Sequence, residues 1–445
     1  REMTAARLNE TGEFHSNALM LLFLHGSARS LVPDGAGAGS GHAFGKKRRG
    51  NVLCAFSRGR EFRPQDKETL MNPSPDSLAE PDQVRPEVRG FTAYVPGLSI
   101  DEIKEKYGLA RVIKMASNEN PLGTSPLVRE TLRRHAASAF RYPQGGNPRL
   151  VTALARHHGV SADRVVVGNG SDEIIDLLLR IRAVPGRHNV VTFDPCFSIY
   201  PLQARLCGVE VRRLPLRKDF SQPLRDLRTL ADDRTALVFV TTPDNPSGYC
   251  PPADAVLELA RSLPPGCLLV VDEAYMDFVD DEAATSLLRR AAELPNTAFL
   301  RTFSKSFGLA GLRLGYGVLP PRLAEYYRRV RLPFSVNILA EEAGLSALED
   351  ATFRAATLRV VREGRRQLTE GLRALGCTVY ASQANFLMFA PPSGRQAPSL
   401  FEALLARGII IRPLKSYALP HLLRVSVGTD EENAAFLQCC KEILA

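Results

Sequence analysis

Seven short apolar runs, bounded by turn-forming residues, set the rhythm of the chain between residues 165 and 319. They predict strands at 165–168, 189–193, 209–214, 236–241, 267–272, 297–301 and 313–319. Most are separated by stretches of helical period such as SDEIIDLLLRI, which predict helices at 171–183, 197–207, 252–262 and 284–292. Strand and helix in alternation make βαβ units, so an α/β fold is expected: a mostly parallel sheet between helices, with right-handed crossovers.

Beyond about residue 325 the rhythm changes. A long helical pattern, EDATFRAATLRVVREGRRQLTEGLRALG, leads to short β-rich runs at FLMF, GIIIRP and LLRVSVGT and a closing helix at 431–444. This predicts a smaller α+β domain. The expected layout is an N-terminal arm at 89–115, a large domain at 116–324 and a small C-terminal domain at 325–445. Residues 1–88 differ from the rest: DGAGAGSGHAFGKKRRGN is glycine-rich, then basic, and MNPSPDSLAEPDQVRPEV is studded with proline. Such a segment buries too little apolar surface to offset its ordering entropy, so a disordered leader is expected.

Composition narrows the partners. With 445 residues, 44% hydrophobic and 24% charged, the chain is long enough for two or three domains. The net charge is +9, and the leader holds 12 Lys and Arg against 11 Asp and Glu, so the excess sits in the body. A modest surplus suits small anionic ligands, and no basic stripe interleaved with aromatics points to nucleic acid. The eight cysteines form no C-x-x-C pair, so neither a metal site nor a disulfide framework is expected, and a reducing cytoplasm fits. The apolar run ALMLLFLHG is far short of the roughly 20 residues of a membrane span, so no membrane partner is expected.

In an open parallel sheet, ligands gather at the carboxyl ends of the strands. The residues there assemble a specific chemistry. After VVVG comes Gly168-Asn169-Gly170-Ser171-Asp172, a glycine turn into a helix whose free N–H groups can hold a phosphate. Phe197 follows NVVTF and can cover the face of a planar ring; alone it would read as core. Asn245 stands in the turn TPDNPSG, and Asp272 ends an apolar strand with Tyr275 three residues on. A carboxylate placed so must be paired or hydrogen-bonded. In RTFSKSFGLAGLRLGYG, Lys305 follows Ser304 and precedes Arg313.

Pyridoxal 5'-phosphate would employ all of them. A carboxylate beside the ring nitrogen keeps it protonated and makes the ring an electron sink, and a lysine amine bonds its aldehyde. In this assignment Asp272 pairs with the ring nitrogen, Asn245 and Tyr275 bond the ring oxygen, Phe197 stacks and Lys305 is the amine. Ser304, Arg313 and the 170–172 turn take the phosphate, arginine because its fork donates two hydrogen bonds. The glycines at 308, 311, 315 and 317 are expected to turn the backbone so that Arg313 reaches it.

The segments SNENP, YPQGG, GNGSDE, TPDNPSG, VVDEAY and SKSFGLAGLRLGYG, over residues 89–445, resemble the fold-type-I pyridoxal-phosphate aminotransferases. Within these, YVPGLSIDEIKEKYG followed by IKMASNENPLG is similar to the histidinol-phosphate aminotransferase family. The resemblance implies a homodimer with shared active sites, Tyr142 reaching the partner's cofactor phosphate and Tyr94 the partner's substrate site. It also implies that Arg412 and Arg424 grip the anionic groups of the substrate. The implied reaction converts L-histidinol phosphate and 2-oxoglutarate to imidazole acetol phosphate and L-glutamate. Aromatic amino-acid aminotransferases and threonine-phosphate decarboxylases share the fold and remain alternatives.

Overall fold

A computed structural model of the chain describes residues 84–91 and 98–445. The leader expected at 1–88 therefore lies outside the described residues up to position 83, as does Tyr94. The chain is already helical at Pro86–Arg89, across the expected boundary at 88, and Arg85 donates from Nη2 to the Leu206 carbonyl at 3.1 Å.

A two-residue strand, β1 (Ile113–Lys114), precedes the large domain. Seven strands then form one sheet: β2 (Val165–Asn169), β3 (Asn189–Asp194), β4 (Glu210–Pro215), β5 (Thr235–Thr241), β6 (Leu268–Asp272), β7 (Thr297–Thr302) and β8 (Leu314–Val318). Their spatial order is β2-β8-β7-β6-β5-β3-β4; β8 runs antiparallel to both neighbours and the other pairs are parallel. Successive strand residues face opposite sides, and both sides are covered. Val167, Val191, Val238, Val240, Leu269 and Phe299 join one apolar cluster, while Val166, Val190, Leu237, Phe239, Val270 and Leu300 join another.

The small domain has a four-stranded antiparallel sheet of order β12-β13-β10-β9, built from β9 (Thr378–Val379), β10 (Phe386–Ala390), β12 (Arg412–Pro413) and β13 (Leu423–Ser426). Its core includes Leu368, Leu372, Leu404, Phe386, Phe389 and Phe436, drawn from the sheet and from helices Ala351–Ala374, Ala397–Ala406 and Asp430–Leu444. The strand β11 (Ile409–Ile410) pairs in parallel with β1, so the run GIIIRP, expected as one strand, serves two sheets.

Two expectations are corrected. The boundary at 324/325 falls inside helix Pro321–Val330, which packs on β2 of the large sheet. The next helix, Ile338–Glu349, contributes Ala340, Ala343 and Ala347 to the large-domain core, so the chain crosses over at Asp350. There the Asp350 carboxylate accepts from the Phe353 N–H at 2.9 Å and from the Ser125 hydroxyl, capping the crossing helix and tying it to the large domain. The helix expected at 284–292 is a short turn at Glu282–Thr285 followed by a 3₁₀ segment at Leu288–Glu293. Ser286 interrupts it by donating to Glu273 at 2.8 Å and accepting from the Leu288 N–H.

Candidate active site

The carboxyl ends of β2, β3, β5, β6 and β7 share one edge of the sheet. Because β8 runs the other way, its amino end lies there too, with Leu314 opposite Asn169 and Gly315 opposite Thr302. That reversal brings Arg313 to the edge. Arg313 itself makes the turn, at φ 53°, and of the four glycines expected to do so only Gly308 has a positive φ, 68°.

At this edge a cavity of about 150 Å³ is lined by Ser171, Asp172, Phe197, Asn245, Asp272, Tyr275, Ser304, Lys305 and Arg313. Thr241, Ala274, Thr302 and Ala310 complete the lining and were not anticipated from the sequence. The helix Gly170–Arg182 opens on it with no side-chain cap on its first turn, leaving N–H groups free for an anion. Arg313 lies against that turn: its Nη2 meets Asp172 Oδ2 at 3.1 Å and its Nη1 reaches the Ser304 hydroxyl at 3.5 Å. Gly170 permits this approach, since a Cβ there would lie 2.6 Å from Arg313 Nη2.

Asp272 is 2% exposed. Burial pushes its carboxyl up to about 6, against hydrogen bonds from the Tyr200 hydroxyl and the Ala274 N–H that favour the anion. Tyr275 accepts from Asn118 Nδ2 at 3.2 Å and from Asn245 Nδ2 at 3.4 Å. Lys305 donates to the Ser117 carbonyl at 3.2 Å. Burial chiefly, then the Arg424 guanidinium, lowers its ammonium to about 8, while Glu119 and Asp172 pull the other way. The loop carrying it is anchored by Ser306, which donates to Asp277 within a buried ion cluster of Arg301, Glu273, Asp277, Glu282 and Arg354.

Arg412 and Arg424 are directly opposite on β12 and β13, which places both side chains on one face of the small sheet. Arg424 is 6% exposed and donates to Asn245 Oδ1 at 2.6 Å and to the Ala116 carbonyl at 3.1 Å. Its Nε has no partner, and no carboxylate pairs with it among the described residues. A buried guanidinium so placed calls for an anion.

Residues 110–439 match the family of class I and II aminotransferases. A histidinol-phosphate aminotransferase of Nitratidesulfovibrio vulgaris is 66% identical over 368 residues, covering 83% of this chain and 98% of that protein. Another, from Oleidesulfovibrio alaskensis, is 64% identical over 363 residues, covering 81% and 95%. The chain belongs to the histidinol-phosphate aminotransferase family. A solved member of the histidinol-phosphate aminotransferases, from Sinorhizobium meliloti in complex with pyridoxal-5'-phosphate, superposes with a TM-score of 0.74 at 25% identity, covering 83% of this chain and 99% of that one.

Nine of the residues read from the sequence as contacts for the family's cofactor thus line one cavity, and Gly170 stands beside it. Tyr142 is outside: it is 80% exposed, with its ring on Phe334 at 4.8 Å. Tyr200 and Asn118 are new to the site. Asn118 lies within SNENP, one of the segments carrying the family resemblance, whereas Tyr200 gave no signal beyond following Phe197 by three residues.

Gly315, in this family motif, packs its strand directly against the start of the phosphate-facing helix. A Cβ on it would fall 2.3 Å from the Ser171 nitrogen and 2.5 Å from the Gly170 carbonyl carbon, while one on Gly311 meets nothing within 4 Å. Gly315→Ala is therefore expected to lose about 3 kcal/mol of stability in urea unfolding, and Gly311→Ala less than about 0.5 kcal/mol. Equal losses would show that helix and strand do not need this approach.

Proposed function

We propose that the chain transfers the amino group of L-histidinol phosphate to 2-oxoglutarate, giving imidazole acetol phosphate and L-glutamate in histidine biosynthesis, with pyridoxal 5'-phosphate as cofactor. The observation that carries this reading is the pairing, in one cavity, of a half-buried lysine whose ammonium is lowered to about 8 with a buried carboxyl group. The substrate assignment is supported by relatives of 64–66% identity that bear the histidinol-phosphate aminotransferase name.

The donor set fits the cofactor. An uncapped helix start, Ser171, Ser304 and Arg313 would hold its phosphate, Asp272 its ring nitrogen, Asn245 and Tyr275 its ring oxygen, Phe197 one ring face and Lys305 its aldehyde. When bound, pyridoxal phosphate supplies an electron sink and carries the amino group between the two substrates. The protein's own residues do the rest. Asp272, buried and hydrogen-bonded at both carboxylate oxygens, favours a cation beside it. Lys305 Nζ, half neutral near pH 8, can accept the proton from the substrate carbon that bears the amine and return it on the other side of the exchange. Arg412 and Arg424, opposite one another on one face of the small sheet, would offer guanidiniums to the phosphate of one substrate and a carboxylate of the other.

Fold-type-I aminotransferases are generally dimeric, and a homodimer is the assembly we favour here. Tyr142, Phe140 and Leu332 are exposed together with Phe334, an apolar patch suited to a second copy that would receive Tyr142 at its phosphate site. The seven described cysteines are free thiols, which supports a reducing compartment such as the cytoplasm. No helix among the described residues is long and apolar enough to cross a membrane.

Mixing the loaded protein with histidinol phosphate should change the visible absorbance of the bound cofactor within one turnover, and 2-oxoglutarate should restore it. Faster conversion by phenylalanine, or carbon dioxide release from O-phosphothreonine, would overturn the substrate assignment.

A further inference from the structure

Tyr200 opens the helix Ile199–Leu206 and is fully buried. Its ring stacks on Phe239 at 4.6 Å and 9°, and meets the edge of Phe197 at 5.5 Å and 82°. Phenylalanine would fill that space equally well, so packing does not account for the hydroxyl. That oxygen lies 2.6 Å from Asp272 Oδ2 and 2.8 Å from Thr241 Oγ1. A carboxylate only accepts, so the single phenolic proton goes to Asp272, and the Thr241 hydroxyl then donates to the tyrosine oxygen. The result is a directed chain, Thr241 to Tyr200 to Asp272. On the other carboxylate oxygen, Oδ1, the Ala274 N–H donates at 3.1 Å. Both oxygens of Asp272 are pinned, so the carboxylate plane cannot rotate.

We infer that Tyr200, backed by Thr241, is a positioning residue for the reaction: it fixes the Asp272 carboxylate as an acceptor aimed at the cofactor's ring nitrogen. This rests on pyridoxal phosphate being the ligand. Burial and the adjoining anion hold the Tyr200 phenol well above its ordinary range, so it stays a donor at working pH. Without it, Asp272 keeps its desolvation cost but loses a charge-assisted bond, and takes up a proton instead of meeting a cation.

The test compares two probes, pyridoxal phosphate and its carbocyclic analogue with CH in place of the ring nitrogen, titrated into cofactor-free protein by fluorescence. Tyr200→Phe is expected to weaken pyridoxal phosphate about tenfold or more and to leave the analogue within about twofold. Thr241→Val should show the same selectivity at about threefold, and it decides the matter should Tyr200→Phe fail to fold by circular dichroism. Equal losses for both probes, or none, would overturn the inference by reducing Tyr200 to packing. A wild-type protein that binds the two probes equally well would instead remove the ring-nitrogen role of Asp272, a distinguishable result.

Discussion

Replacing Lys305 by alanine is expected to slow the half-reaction with histidinol phosphate by about two to four orders of magnitude, the range a positioned proton-transfer group supplies. The cavity that burial and Arg424 make hostile to an ammonium leaves the wild-type amine near its midpoint at about pH 8. Loss of the amine leaves no other lysine in the lining. The wild-type rate should rise with pH through about 8 and level off, because only the neutral amine accepts a proton. Since the Arg424 charge lowers the Lys305 value, Arg424→Met should move that midpoint upward while also raising KM. Small primary amines added to Lys305→Ala should restore part of the rate. A variant that keeps more than about a tenth of wild-type activity would place the base elsewhere.

Asp272→Asn keeps the shape of the side chain and removes its charge. The expected loss in kcat is about a thousandfold, comparable to removing a preorganised electrostatic partner of the reacting group. Stability should respond differently. With its carboxyl raised from 3.8 to about 6, ionised Asp272 costs the cofactor-free fold stability above about pH 6, a cost relieved as pH falls from 6 toward 3.8. Cofactor-free Asp272→Asn should therefore be at least as stable as the parent at pH 8, by urea unfolding. A variant that lost activity and stability together would show Asp272 to be a structural residue.

The large sheet was legible because most of its strands are short apolar runs closed by Gly, Pro, Asp or Asn, and the predicted runs meet the observed strands to within about a residue. The cavity followed, since strand ends in such a sheet converge. What the pattern could not carry was direction: nothing in RLGYGVL says that β8 runs backward, and the glycines around Arg313 mask the fact that Arg313 itself turns the chain. Domain membership was hidden likewise, because helix Pro321–Val330 shows one apolar face whichever sheet it covers, and the alanine-rich helix Ile338–Glu349 shows little contrast between its faces. The strands β1 and β11 are two residues long, too short for any period. Tyr200 reads as an ordinary core aromatic until the position of Asp272 is known.

Both lone pairs of the Tyr275 oxygen are engaged by amide groups of Asn118 and Asn245, so its proton has one remaining direction, into the cavity. The phenol, already accepting twice, is left to act as a donor, so it favours an incoming ring that offers it an acceptor oxygen. That donor role is set by two asparagines that belong to different loops, 127 residues apart in the chain by their numbers, 118 and 245.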